Sequence, residues 1–153
     1  MRYVALAAVV VILDQATKKW AKTYIKPGNT IEIVKNKVAL THVQNKGAAY
    51  GLFAKNPRVL WTASALAVAH LLFEMVVVIK NGRASIVDKI GWALTVGGAV
   101  GNLLDRARFK QVTDFIHIKF SPKAPVFNIS DVSVMLGLIV LLLRQFAFKK
   151  NAD

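Results

Sequence analysis

The chain has no cysteine, which removes disulfides, thiolate nucleophiles and cysteine-ligated zinc or iron–sulfur centres together. Its three histidines form no His-Glu-x-x-His pair and no other cluster at metal-ligand spacing, so metal-dependent hydrolysis is not expected. Serine chemistry also lacks its parts. No serine sits on a nucleophile elbow, and His42 and His117 fall in segments of strand-like pattern. Acidic residues are scarce, 8 against 21 basic, and neither an internal repeat nor a low-complexity tract breaks the 153 residues, which fit a single domain over 1–153.

Apolar residues, by contrast, are abundant. They make up 55% of the chain at a mean hydropathy of +0.44, and they are gathered into blocks rather than spread at helix or strand period. That is the pattern of a membrane protein. The net charge of +13 sits beside those blocks, which favours anionic lipid headgroups as the partner and argues against nucleic acid.

Four membrane-spanning helices are expected, over about residues 3–25, 59–79, 86–106 and 128–148. The first begins as the short apolar run Tyr3 to Leu13, but about 11 residues would cover only roughly 16 Å, so the helix must continue toward Ile25 and carry Asp14 to membrane depth. The second, Val59 to Ile79, carries His70 and Glu74 on one face. In the third, Ala93, Gly97 and Gly101 recur every four residues, a stripe that lets a neighbouring helix approach closely. The fourth reaches spanning length only if it starts near Asn128, which draws Asp131 into its end. The connection over about 26–58 opens with Pro27-Gly28-Asn29, and its alternating segments Thr30 to Val34 and Lys37 to Val43 flank Lys35-Asn36, a hairpin pattern. The loop over about 107–127 has a similar strand-like stretch before a Ser121-Pro122 break. The fold class expected is therefore membrane all-α, with four transmembrane helices and a small β-hairpin or sheet subdomain lying on the membrane.

An even number of spans puts both termini on one side. That side carries about 7 Lys and Arg, and the side with the long connections about 14. Charge alone would put the long connections in the cytoplasm, but the rule weakens where a connection folds as a small domain, so orientation stays open on this ground.

With so few carboxylates, their placement is informative. Asp14, Asp105, Asp114 and Asp131 fall on the side with the long connections, and a carboxylate kept at membrane depth costs several kcal/mol unless paired, so it is usually used. Two carboxylates a few ångströms apart cannot both ionise, and such a pair supplies an acid and a base from one site. Asp114 and Asp131 flank the Pro-interrupted loop, which can fold back and bring them together. A purely structural alternative exists: Asn128-Ile129-Ser130-Asp131 has the form of a capping box for the fourth helix. Asn102 and Arg106, one turn apart, can face one site, or Arg106 can simply satisfy the helix end. Asn45 and Gly47 fit an ordinary turn, and Lys18 a snorkelling anchor. Intramembrane Asp14, Glu74 and Asp131 leave a small proton-coupled transporter as the alternative function.

Several segments resemble the sequence boxes of bacterial lipoprotein signal peptidases (signal peptidase II). Asp14-Gln15-Ala16-Thr17-Lys18 is similar to the first and Asn45-Lys46-Gly47-Ala48-Ala49-Tyr50-Gly51 to the second. Gly98 to Arg106 with Val112-Thr113-Asp114-Phe115 resembles the third, and Phe127-Asn128-Ile129-Ser130-Asp131 the last. The resemblance implies an aspartyl endopeptidase that needs no metal or cofactor and cleaves diacylglyceryl-modified prolipoproteins just before the lipid-carrying cysteine. It implies Asp114 and Asp131 as the catalytic pair, with Asp14, Lys18, Asn45, Gly47, Asn102, Arg106 and Asn128 binding substrate or supporting the site. It also implies a protein of the bacterial cytoplasmic membrane, with cytoplasmic termini and an active site at the outer face; nothing in the sequence requires more than a monomer. Ser130 departs from the usual alanine, and a hydroxyl there is expected to bond a carboxylate and shift the pair's titration.

Overall fold

The computed structural model of the chain describes residues 1–47, 55–121 and 124–150, with the backbone alone for 148–150. Four helices and four strands follow in the order α1 (Arg2–Tyr24), β1 (Thr30–Val34), β2 (Val38–Asn45), α2 (Pro57–Lys80), α3 (Ile86–Phe109), β3 (Val112–Ile118), β4 (Val126–Phe127) and α4 (Ile129–Lys150). The Ala48 to Gly51 part of the second sequence box and the Pro122 break lie outside the described residues.

Local chemistry sets the boundaries. Pro57 occupies the start of α2, where a missing N–H costs nothing. Ser85 and Asp88 cap α3 reciprocally, and Lys110 ends it in the left-handed conformation at φ 60°. Between β1 and β2, Asn36 at φ 56° turns the chain and the Lys37 N–H bonds the Val34 carbonyl at 2.9 Å. The small sheet expected from the first connection is there, and both connections build it. All pairings are antiparallel, in spatial order β1-β2-β3-β4. It is fixed to the end of α1 through Ala21, Ile25 and Phe115, with Leu40, Ile116 and Ile129 packed around them.

α3 is the central helix, packed against α1, α2 and α4. Its small residues serve two neighbours rather than the single stripe expected. Toward α1, a Cβ at Gly97 would fall 2.8 Å from the Ala7 carbonyl oxygen, and Ala93 is fully buried with Tyr3 and Ala7. Toward α4, a Cβ at Gly98 would collide with the Ser130 carbonyl oxygen and approach Val134 Cγ2 to 2.8 Å. This close approach seats the start of α4 beside the end of α3, where the polar residues collect.

By length and composition, α2 and the Ile129–Ala147 part of α4 are apolar enough to cross a membrane, with mean hydropathies of 2.0 and 1.8. Among the described residues, α1 and α3 do not meet the same standard. Both carry charged residues along their length, and several of those are wholly buried inside the helix packing.

Candidate active site

Pairing of β2 with β3 sets Val43 opposite Asp114, so Asn45, two residues further along β2, lies on the same face as Asp114's partner. Asn45 Nδ2 donates to Asp114 Oδ2 at 3.0 Å, while the Gly47 N–H donates to Asn45 Oδ1 at 3.0 Å and orients the amide. On the other side Asn128 Nδ2 donates to Asp114 Oδ1 at 2.7 Å. Asn128 immediately precedes α4, and it also meets Asp131. The Asn128 N–H donates to Asp131 Oδ2 at 3.1 Å, and the Asp131 N–H returns a bond to Asn128 Oδ1 at 2.9 Å. The capping box is thus formed, yet it uses only one oxygen of Asp131. The other, Oδ1, accepts from Asn102 Nδ2 at 2.8 Å. One asparagine therefore bridges carboxylates from a strand and a helix, and two more hold their outer oxygens.

Behind this pair lies a second polar layer, most of it buried. Asp14, Lys18 and Asp105 are at most 1% exposed. Lys18 Nζ lies 2.8 Å from Asp14 Oδ2 and 3.5 Å from Asp105 Oδ2, and it donates to Asn102 Oδ1 at 2.9 Å. Gln15 Nε2 reaches Asp105 Oδ1 at 3.0 Å and Asp14 Oδ2 at 3.2 Å. The remaining lone pairs are taken by backbone: Asp14 Oδ1 accepts from the Ser130 N–H at 2.9 Å, and Asp105 Oδ2 from the Thr113 N–H at 3.1 Å. Each of these N–H groups is next door to Asp114 or Asp131. Removing one member of such a buried ion pair typically costs about 3–5 kcal/mol, so this layer ties α1, α3, β3 and α4 into one frame.

Asp114 is buried, 3% exposed. Burial first, and then the charge of Asp131, push its carboxyl up to about 6, against the opposing pull of the Asn45 and Asn128 bonds and the charge of Lys18. Arg106, half-buried near the end of α3, lies within electrostatic reach of Asp131, Asp114 and Asp105. It forms no ion pair with a carboxylate among the described residues, and its buried Nε has no hydrogen-bond partner among them. The asparagines, not the arginine, hold the carboxylates. Two carboxyl groups bridged by one asparagine, one able to keep its proton well above the ordinary range, have the chemistry to activate a water molecule and protonate a leaving group.

Residues 6–147 match the family described as signal peptidase (SPase) II. The chain belongs to the signal peptidase II family. A lipoprotein signal peptidase of Geobacillus kaustophilus is 36% identical over 149 residues, covering 97% of this chain and 95% of that protein. That of Clostridium novyi is 38% identical over 140 residues, covering 88% and 93%. Among solved structures, a bacterial membrane enzyme superposes with a TM-score of 0.88 at 27% identity, over 99% of this chain and 92% of that one.

Seen as a signal peptidase II chain, the described site gathers Asp14, Lys18, Asn45, Gly47, Asn102, Arg106, Asn128, Asp114 and Asp131 around the junction of α1, α3, α4 and the sheet. Lys18 does not snorkel; its ammonium group is enclosed. Ser130 corrects an expectation. Its buried Oγ bonds no carboxylate and has no partner among the described residues, while its backbone N–H binds Asp14. Three residues of this layer, Gln15, Asp105 and Thr113, were not among the expected site residues. Their sequence signal was adjacency: each sits next to an expected residue within a box.

Proposed function

We propose that this chain is an aspartyl endopeptidase that removes the signal peptide of diacylglyceryl-modified prolipoproteins, cutting just before the lipid-carrying cysteine. Family membership supports the lipoprotein signal peptidase activity, and the named relatives carry it in their names. The observation that carries the aspartyl chemistry is the bridge Asp114–Asn128–Asp131, with each carboxylate held by a further asparagine. A water molecule between the two carboxyl groups loses a proton to the ionised one as its oxygen bonds the scissile carbonyl carbon. The protonated partner donates to the carbonyl oxygen. Collapse of the tetrahedral intermediate breaks the C–N bond, and the proton taken from water passes to the leaving amine. Arg106, with its unpaired Nε, is available to a substrate carbonyl.

All four helices are proposed to span the bilayer. α1 and α3 are 23 and 24 residues long, roughly 35 Å at 1.5 Å per residue, enough for a hydrocarbon core of about 30 Å. Asp14, Lys18 and Asp105 point into the packing, while Val4, Val9, Ile12 and Leu13 of α1 face outward. Exposed Trp20, Tyr24 and Phe109 lie at the ends of α1 and α3 nearest the dyad, with Lys22 Nζ 3.8 Å from the Phe109 ring centre. These are residues that settle at a membrane interface, which would put the dyad at the bilayer rim. The proposed enzyme works as a monomer in the bacterial cytoplasmic membrane, termini cytoplasmic and dyad at the outer face, its basic connections engaging anionic headgroups. Family membership leaves the transporter alternative without support. The test is cleavage by the purified protein of a diacylated prolipoprotein and of its unlipidated form. The lipidated form alone should be cut, and Asp114→Asn and Asp131→Asn should each abolish cutting while leaving membrane insertion intact. Turnover retained by either variant would remove the aspartyl assignment.

A further inference from the structure

All three asparagines of the site present their amide nitrogens to carboxylates, and each orientation has an identifiable cause. An amide has a donor end and an acceptor end, so whichever group fixes the acceptor end decides what the other end offers. For Asn45 that group is the Gly47 N–H, and for Asn128 it is the Asp131 N–H. Both are backbone groups that any side-chain change other than proline leaves in place. Asn102 differs. Its Oδ1 accepts from Lys18 Nζ at 2.9 Å and, at the longer distance of 3.2 Å, from the second hydrogen of the Asn128 amide, whose first goes to Asp114; of the two donors Lys18 is the charged and nearer one. Lys18 has three donors and no acceptor, so a reversed Asn102 would set its NH2 against an enclosed ammonium group and turn its carbonyl oxygen toward Asp131.

We infer that Lys18 is a positioning residue for catalysis: it fixes Asn102 with its amide donating to Asp131, and so makes Asp131 the ionised base and Asp114 the proton-carrying acid. The inference rests on the aspartyl reading above and goes beyond it by assigning the two roles. Independent features point the same way. Asp131 lies in the first turn of α4, where the helix N-terminus favours negative charge, whereas Asp114 is on a strand without such a terminus. The charged groups around Asp131 are Asp14 and Lys18 from α1, Asp105 and Arg106 from α3, and Asp114 from β3. Lys18 is the one cation among them hydrogen-bonded to an amide that itself donates to Asp131.

The test measures kcat and kcat/KM against pH for the full-length protein on a diacylated prolipoprotein, in wild type, Lys18→Met, Asn102→Ala and the double variant. Both single variants are expected to lose roughly 10- to 100-fold in kcat, part of the roughly 10²- to 10⁴-fold that a positioned acid or base supplies. KM should stay nearly constant. The acidic limb of kcat/KM, which reports formation of the ionised base, should move to higher pH by about one unit. The double variant should be no worse than the poorer single one, because both remove the same connection. A merely structural Lys18 would lower the melting temperature and the amount of active enzyme without moving the limb. Should Lys18→Met fail to fold, Asn102→Ala decides by itself, since it keeps the pairing of Lys18 with Asp14 and Asp105. An unmoved limb in Asn102→Ala, or multiplicative losses in the double variant, overturns the inference. If wild type cuts the lipidated substrate while the limb stays put, only the role of Lys18 is lost; failure of wild type to cut removes the aspartyl reading itself.

Discussion

α3 and α4 begin with the same device at opposite ends of the molecule. At α3, Asp88 Oδ2 accepts from the Ser85 N–H at 2.8 Å and from Ser85 Oγ at 2.7 Å, and Ser85 Oγ accepts from the Asp88 N–H at 3.1 Å. At α4, Asn128 and Asp131 make the equivalent reciprocal bonds. The α3 box closes on itself, and its spare carboxylate oxygen looks to a partly exposed Arg144 at 3.6 Å. In the α4 box, asparagine replaces serine, and its NH2 becomes an arm reaching the buried Asp114, while the spare oxygen of Asp131 goes to Asn102. Capping a helix and reaching a second carboxylate are therefore compatible, because a carboxylate has two oxygens and an asparagine two ends.

The largest effect is expected from making the second box like the first. Asn128→Ser keeps a good N-cap but deletes the donor to Asp114. kcat should fall by roughly 10²- to 10³-fold, the range for loss of one preorganised donor, while the melting temperature changes little. A variant that keeps full turnover would show that the arm at Asn128 is not what distinguishes the two boxes.

Next in size is the contact that lets the α4 box reach its partners. Gly98→Leu would press on the Ser130 carbonyl oxygen and Val134, moving the start of α4 off α3. Overpacking of this kind costs about 1–3 kcal/mol, and turnover should fall further than stability because the bonds to Asn102 and Asp14 stretch first. Gly82→Leu, in an open loop near the α3 box, has nothing within 4 Å of its Cβ and should change neither property. Thermal melting and steady-state cleavage read both variants.

The four helices and the β1–β2 hairpin were legible because each rests on local rules: apolar blocks for the helices, and Lys35-Asn36 between alternating segments for the hairpin. The site was legible in its members but not in its wiring. Asn128 to Asp131 read equally as a cap or as site residues, and the folded chain forms the cap while its spare groups reach Asp114 and Asn102. Lys18 looked like an anchor since no local pattern says that Asp105, 87 positions on, will sit 3.5 Å from its ammonium. The small residues of α3 were visible at a four-residue period. Which neighbour each faces depends on packing of α1 and α4, a long-range property. Ser130 misled for the same reason, as its hydroxyl direction follows from the helix seat and not from its sequence neighbours.

Protons offer a further separation of the two ends. The Asp114 carboxyl, ordinarily near 3.8, is raised to about 6 in the fold, so between those values the folded chain holds a proton that the unfolded chain has released. Its contribution to stability is complete below about 3.8 and is lost as pH rises toward about 6, a change on the order of 3 kcal/mol. Melting in detergent should show this decline in wild type and a flatter profile in Asp114→Asn. A decline of the same size in that variant would move its origin elsewhere in the site.

The smallest effect is expected at the α3 box. Ser85→Ala removes the cap hydroxyl from the first turn and should cost about 1 kcal/mol, a drop of about 2–4 °C in melting temperature for a chain of this size. Asp88→Asn should cost about the same, since its longer, partly exposed pair with Arg144 adds at most about 1 kcal/mol. Neither residue touches the dyad, so kcat/KM on the lipidated substrate should stay within about twofold of wild type once the folded fraction is equalised. A drop comparable to that of Asn128→Ser would mean that strain at one end of α3 reaches Asn102 at the other. The two boxes would then be a coupled pair along one rigid helix rather than a structural device and its catalytic variant.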